Sequence, residues 1–177
     1  MPHKENYILV LGSKPDSKLP DVEVDKIYSA NGAAERAFNY KKKYPKTIHT
    51  ALIGSKEYTE NENVKVRVIN AIPQRLYCRS GSIKIPNELK NSKLEFLTSK
   101  EQFKFQSKFY KLGGLDIVLG EIFFYEIDLI KIIKHTYSCI KYQGFWGVAT
   151  GFYSILLALD ENPDSKVIVS GIGLVEG

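Results

Sequence analysis

Three short β-prone runs, each ending in glycine or asparagine, constrain the fold of this chain more than any other feature. They read YILVLG (7–12), DKIYSAN (25–31) and KTIHTALIG (46–54). The first is a short apolar run typical of a buried strand, and the third alternates and is rich in Thr and Ile. A helical pattern at 32–43 separates the last two, with Asn31 as its expected N-cap. The front of the chain therefore predicts the order β-loop-β-α-β.

The rest of the chain continues this alternation. VKVRVIN (64–70) alternates cleanly and predicts a fourth strand. Helices are predicted at 99–114, with Ser99 as a cap, and then at 120–138 and 150–161, followed by a last strand at 166–172. Residues 71–98 mix turn residues with short β-prone runs, and we expect them either to cross over the sheet or to form a small insertion. Strands alternating with helices indicate an α/β fold with a mostly parallel sheet.

Composition argues against several classes of protein. The 177 residues suit one domain, and the net charge of +5 comes from 25 basic and 20 acidic residues that are mixed along the chain. This excess falls short of a nucleic-acid-binding surface. Cys78 and Cys139 are isolated and argue against a structural zinc site. We find no signal peptide pattern and no run of about twenty uncharged apolar residues, so we expect a cytoplasmic protein without a membrane-spanning segment.

Small and polar residues end three of the predicted strands and begin one late helix. The carboxyl ends of adjacent parallel strands meet at one edge of a sheet, where open α/β folds bind ligands. Glycine there allows close approach of a backbone, Ser and Asn offer compact hydrogen-bonding groups, and a helix N-terminus favours phosphate. A turn after a strand would explain any one of these residues without a ligand. It explains less well that three predicted strands end in the same kind of residue. The candidate site residues are Gly12, Ser13, Asn31, Gly32, Gly54, Ser55, Thr150 and Gly151.

Several nucleotide-binding and catalytic signatures are missing from the sequence. No GxGxxG follows the first strand and no GxxxxGK[ST] occurs, which weighs against a dinucleotide-dependent dehydrogenase and a P-loop NTPase. A GxSxG elbow is also missing, which weighs against an α/β-hydrolase. No DxD pair of carboxylates is present to support a magnesium-dependent sugar transfer.

Three stretches resemble sialyltransferases, and their order and spacing match that family across most of the chain. YILVLGSKPDSKLP resembles the first strand and donor-binding loop of that family, and IYSANGAAERA resembles its second strand, with Asn at the tip. ATGFYSILLAL with KVIVSGIGL resembles the family's second motif most closely. That motif has a [ST]-G helix start, an apolar helix, a short loop and a strand that runs into G-[IF]-x-[LF].

The resemblance implies a Rossmann-like α/β fold with helices on both faces of a mostly parallel sheet. It implies a metal-independent, inverting glycosyltransferase that needs no cofactor. Such an enzyme moves sialic acid or a related acidic sugar from a CMP-activated donor to a hydroxyl of a glycan or lipid-linked sugar acceptor. Carried over to this chain, the nucleotide and phosphate would lie at Gly12 and Ser13, the donor sugar or phosphate at Asn31, and the donor at the helix start formed by Thr150 and Gly151. Gly171 and Gly173 would shape the end of the last strand.

The sequence departs from this family in its proposed catalytic part. The family's catalytic His, and the Tyr residues that assist the leaving phosphate, follow the second motif, whereas this chain ends at Gly177. Ser13-Lys14 also replaces the usual Asn-containing turn. None of the three histidines stands where the family has its base, and we interpret each as structural: His3, His49 and His135. Two hypotheses remain for residues 1–177 as a single nucleotide-sugar-binding domain. It is either the donor-binding part of a glycosyltransferase or a non-catalytic nucleotide-binding or interaction module.

Overall fold

A computed structural model of the chain describes residues 6–14, 17–79, 83–106, 108–109, 137 and 148–173. The chain divides into two compact units, one formed by Met1–Phe96 with Ala149–Gly177 and the other by Leu97–Val148. Most of the first unit is described, and it contains all the candidate site residues.

Six parallel strands form one sheet in the order β5-β4-β3-β2-β1-β6. The strands are β1 (Tyr7–Leu11), β2 (Lys26–Ala30), β3 (Ile48–Gly54), β4 (Arg75–Arg79), β5 (Lys93–Leu97) and β6 (Lys166–Ser170). The α-helices are α1 (Ala34–Lys43), α2 (Ser55–Glu60), α3 (Glu62–Ala71), α4 (Ser99–Gln106) and α5 (Thr150–Glu161). Short 3-10 turns span Asn31–Ala33 and Asn87–Leu89. Residues 71–98 therefore contribute two strands to the sheet.

Helices cover both faces of the sheet, as neighbouring residues of β2 demonstrate. Ile27 is buried in a cluster with Leu9 and with Ala37 of α1. The next side chain, Tyr28, points to the opposite face because side chains alternate along a strand. Its hydroxyl donates to Glu161 Oε2 at the end of α5, at 2.6 Å. A parallel sheet buried on both faces by helices confirms the prediction of a Rossmann-like α/β fold.

A hydrogen-bonded network fixes the C-terminal end of α5 to the sheet. Glu161 accepts two bonds from Arg75, at 2.9 and 3.0 Å, and one from Tyr77, at 3.1 Å, besides the bond from Tyr28. Burial alone would raise the pKa of Glu161, but the hydrogen bonds from Arg75 and Tyr28 outweigh burial and lower it. The carboxylate therefore stays ionised. Because the network holds one end of α5, it also restricts where the other end of this helix lies.

The predicted strand at 64–70 is wrong, because these residues belong to α3. The Asn61 side chain caps the helix by accepting a hydrogen bond from the Val64 N–H at 3.3 Å. Val64 and Val68 are one helical turn apart and are both buried, whereas Val66 is 44% exposed. The alternating valines thus line a helix on only one side, and the N-cap outweighs the β-propensity of valine.

The remaining predicted elements differ from the structure mainly at their ends. The predicted helix at 150–161 is confirmed, and the last strand ends at Ser170. The cap of α4 is Thr98 rather than Ser99, since Thr98 and Glu101 exchange hydrogen bonds of 2.7 and 3.2 Å in a capping box. The predicted helix at 120–138 lies outside the described residues, apart from a single position.

The described residues contain neither a candidate membrane-spanning helix nor a candidate metal-binding cluster. No helix in the described part of the chain is both long enough and apolar enough to cross a membrane. Over the same residues, His, Cys, Asp and Glu form no group of three or more that could hold a metal ion.

Candidate functional site

The strand order reverses at β1. Strands β2 to β5 follow one another on one side of β1, and β6 lies on its other side. Such a reversal leaves a crevice outside the carboxyl ends of the two neighbouring strands, which is where open α/β sheets usually bind ligands. In this protein that crevice lies at the ends of β1 and β6.

A cavity of about 240 Å³ opens at this crevice. With Gly171 and Gly173 from the resemblance, the candidate residues number ten, and seven of them line the cavity: Gly12, Ser13, Asn31, Thr150, Gly151, Gly171 and Gly173. Ala30, Ala149, Phe152 and Ile172 complete the lining. The structure thus brings together residues from the ends of three strands and from the start of α5.

The other three candidate residues do not line this cavity. Gly32 faces α3, because a Cβ at this position would lie 3.4 Å from Arg67 and 3.7 Å from Val64. Gly54 ends β3, and Ser55 begins the short helix α2. Gly54 is nevertheless close to the cavity wall, because a Cβ at this position would lie 3.8 Å from Thr150 Oγ1.

Position 12 requires glycine because the backbone of Gly171 lies too close for a side chain there. The Gly12 N–H donates to the Ser170 carbonyl at 2.8 Å. A Cβ on Gly12 would collide with the Gly171 carbonyl and lie 2.7 Å from Ile172 Cγ1. Gly171 itself has φ of 72°, a left-handed conformation that favours glycine. The close approach of the two strand ends therefore explains both glycines without a ligand.

Asn31 connects the ends of β2 and β3. Its Oδ1 accepts a hydrogen bond from the Gly54 N–H at 3.1 Å. Its φ of 48° lies in the left-handed region, where Asn occurs more often than most residues. The prediction that Asn31 caps the following helix is wrong, because its side chain makes no capping bond and α1 begins only at Ala34. The bond to Gly54 uses one lone pair of Oδ1 and leaves the two amide N–H groups of Asn31 to donate to other partners.

An arginine of α1 secures the loop that follows β1. Arg36 donates to the carbonyl oxygens of Gly12, at 3.3 Å, and Lys14, at 3.2 Å. It also donates to the hydroxyl and the carbonyl of Ser17. The Lys14 N–H donates to the Gly171 carbonyl at 3.0 Å, which connects the loop to the end of β6. The loop that forms the cavity wall around Gly12 is therefore held both by Arg36 and by the end of β6.

The start of α5 contributes a positive dipole end to the cavity. The N-cap residue, Ala149, makes no side-chain capping bond. Thr150 and Gly151 both line the cavity. The first N–H groups of a helix have no intrahelical acceptor, and together with the helix dipole they favour a bound anion.

Arg79 is a residue of this region that the sequence analysis missed. It ends β4 directly beside Gly54, its partner in the sheet register. The side chain is 5% exposed, and its Nη1 donates to Thr150 Oγ1 at 3.2 Å. Burial lowers the pKa of Arg79 to about 10, so the side chain remains charged at neutral pH. The sequence feature that could have identified Arg79 is a charged residue at the end of the short β-prone run RLYCR, which ends at the same sheet edge as the candidate glycines.

No ionisable side chain occurs among the described residues that line the cavity. His49 is elsewhere, fully buried, and its Nε2 shares a 2.7 Å hydrogen bond with Ser29 Oγ. Burial, and to a lesser extent the charge of Lys41, lowers the pKa of His49 to about 3. His49 is therefore a neutral core residue. His3 and His135 lie outside the described residues.

Comparison with known proteins adds no family or relative. No protein family model matches the chain, and no curated protein or solved structure matches it either.

Proposed function

We propose that the cavity at the ends of β1 and β6 binds a nucleotide through its phosphate. The observation that carries this proposal is the position of the α5 start. A helix without a side-chain cap begins in a cavity at the reversal of strand order, and Thr150 and Gly151 form part of the wall. Helix N-termini at this position of α/β folds bind phosphate groups through their N–H donors.

The polar groups of the cavity favour hydrogen-bond acceptors such as phosphate oxygens. Asn31 offers its two amide N–H groups, while its oxygen already accepts one hydrogen bond from Gly54. Ser13 and Thr150 contribute hydroxyl groups. The volume of about 240 Å³ is below the usual range for drug-sized ligands, which starts at about 300 Å³. We therefore expect it to enclose a phosphate and a ribose, with the rest of the ligand extending over the sheet edge.

Within this function, we propose a CMP-activated acidic sugar as the natural ligand and glycosyl transfer as the activity. The resemblance of the strand ends and of α5 with β6 to sialyltransferases supports this narrower proposal. Ser13 would contact the nucleotide phosphate, Asn31 would donate to the phosphate or sugar carboxylate, and Thr150 would donate at the helix start. Transfer to a glycan or lipid-linked sugar hydroxyl needs a general base.

A second candidate function is that of a non-catalytic nucleotide-binding or interaction module. One observation favours it, namely that no described cavity-lining side chain can accept a proton as a general base. A binding module needs no such group, whereas the transferase requires one from another part of the protein.

Thermal unfolding with CMP, UMP, GMP, AMP and NAD in separate samples tests nucleotide binding. A ligand at a hundred times its dissociation constant stabilises the folded state by about 2.7 kcal/mol. For a chain of this length, that raises Tm by about 5–10 °C. A shift with CMP alone supports the CMP-sugar proposal, and the absence of a shift with every nucleotide refutes the nucleotide site.

A pair of threonine variants connects the shift to the cavity. Thr150→Val removes the cavity hydroxyl with little change in volume and should reduce the shift with CMP. Thr59→Val is the matched control, because the Thr59 hydroxyl bonds to the Ser55 carbonyl within α2. Release of CMP from CMP-sialic acid, measured with and without a sugar acceptor, then separates the two functions. Turnover supports the transferase, and binding without turnover supports the module.

A further inference from the structure

A buried arginine lies behind the start of α5. Arg79 is outside the cavity lining, but its Nη1 donates to Oγ1 of Thr150, which lines the cavity, at 3.2 Å. Its guanidinium carbon lies 4.5 Å from the ring centroid of Tyr153. Both contacts are with the first turn of α5, so Arg79 connects the end of β4 to the helix start.

This contact determines how the Thr150 hydroxyl can act. A hydroxyl has one hydrogen to donate and two lone pairs, whereas a guanidinium group has only donors. Thr150 Oγ1 must therefore accept from Arg79, and its hydrogen points away from the guanidinium group. The hydroxyl hydrogen is then directed to other acceptors, and only one lone pair of Oγ1 is left for a donor, so this contact favours a hydrogen-bond acceptor among the ligand atoms that meet Thr150.

The charge of Arg79 has the same sign as the helix end beside it. Cations stabilise the C-terminus of a helix and oppose the dipole at its N-terminus. A 5% exposed guanidinium at the α5 start is thus the reverse of the arrangement that stabilises a helix. Both positive contributions attract an anion in the cavity, and burial strengthens the attraction because water screens it less.

We infer that Arg79 is a positioning residue that holds Thr150 as a hydrogen-bond donor and makes the cavity selective for an anionic group. This inference rests on the proposed function, because it takes the cavity to be the ligand site. It assigns the selected group as the phosphate of the nucleotide. Arg79 acts through Thr150 and through its charge, without contact with the ligand.

The test compares CMP with cytidine, which lacks the phosphate. Dissociation constants are measured by calorimetry for the wild type, Arg79→Met and Arg79→Lys. Arg67→Met is the matched control, because Arg67 forms an exposed ion pair with Glu35. We expect Arg79→Met to weaken CMP at least tenfold and to change cytidine less than twofold. Arg79→Lys keeps the charge and should restore part of the loss, whereas Arg67→Met should match the wild type.

The variants Arg79→Met, Thr150→Val and their combination show whether Arg79 acts through Thr150. We expect the double variant to lose less CMP affinity than the sum of the single losses, because both remove the same hydrogen bond. Equal weakening of CMP and cytidine by Arg79→Met would assign Arg79 a merely structural role and overturn the inference. Unchanged CMP affinity in this variant would overturn it as well.

Inorganic pyrophosphate separates this inference from the proposed function. Suppose the wild type binds pyrophosphate but no nucleotide. If Arg79→Met and Arg79→Lys then differ in pyrophosphate affinity as expected for CMP, the nucleotide proposal fails and the anion selectivity stands. If the wild type binds neither pyrophosphate nor CMP, both proposals fail. Arg79→Lys also provides a folded comparison if Arg79→Met lowers Tm below the assay temperature.

Discussion

Acidification should destabilise this protein through one buried histidine. His49 has no exposed surface, and its Nδ1 has no hydrogen-bond partner among the described residues. Its Nε2 shares a hydrogen bond with Ser29 Oγ. Protonation would place a positive charge in the buried interior, and this is why burial lowers the pKa of His49 from 6.5 to about 3.

The direction of the effect follows from proton binding in the two states. The unfolded state binds a proton at His49 below about pH 6.5, whereas the folded state does so only near pH 3. The contribution of His49 to stability is therefore complete above pH 6.5 and is lost progressively as the pH falls toward 3. At about 1.4 kcal/mol per pH unit, the loss between pH 8 and pH 5 is about 2 kcal/mol. This corresponds to a decrease in Tm of about 4–8 °C.

Urea unfolding at several pH values between 8 and 5 measures this dependence. We expect the free energy of unfolding of the wild type to fall by about 2 kcal/mol over this range. His49→Gln removes the titrating group and should remove that part of the dependence, whatever its effect at pH 8. Ser29→Ala is the control, because it keeps the buried imidazole and should keep the dependence.

Equal pH dependence in the wild type and His49→Gln would refute this reasoning. The ionised Glu161 does not interfere, because its folded pKa is lowered. The stabilisation that Glu161 provides is present above the pKa of an unfolded glutamate, about 4.3, and is lost only below this value. Glu161 therefore contributes little to the pH dependence between pH 8 and pH 5.

Two further predictions concern the strand ends and α3. Gly12→Ala should destabilise the protein by about 1–3 kcal/mol in urea unfolding, because the new Cβ collides with the Gly171 carbonyl, while the exposed Gly173→Ala should change stability far less. A neutral Gly12→Ala would contradict the close approach of β1 and β6. Val68→Ala should cost about 2 kcal/mol, whereas Val66→Ala should be neutral or slightly stabilising, since alanine favours helix at an exposed position. Equal losses at the two valines would instead indicate the strand face that the alternation predicts.

Elements with a clear local pattern could be predicted from the sequence. The apolar run at β1 and the helical spacing in α5 depend only on nearby side chains, so both elements appear close to their predicted ranges. The valines of α3 gave a wrong prediction because a short segment can fit both patterns. Alternate valines fit one face of a strand, and Val64 and Val68 also fit one face of a helix. The capping bond from the Val64 N–H to Asn61 and the burial of Val68 decide between them.

The site was predictable only in part. Small residues at strand ends are visible in the sequence because each follows an apolar run, and seven of the ten candidates line one cavity. The sequence did not reveal which structural contacts require these residues. Gly12 accommodates the backbone of Gly171, and Asn31 holds the end of β3 through Gly54. Both depend on strands that are neighbours in the sheet but distant in the chain.

By itself, the sequence determined the alternation of strands and helices and the small residues at the strand ends, because both are properties of short segments. Only the tertiary structure decided that β6 pairs with β1, and this pairing creates the crevice. The tertiary structure also brought Arg79 to the start of α5, since the contact joins two elements far apart in the chain. The physical reason is that periodicity selects which face of an element is buried, whereas strand order and long-range packing select its neighbours.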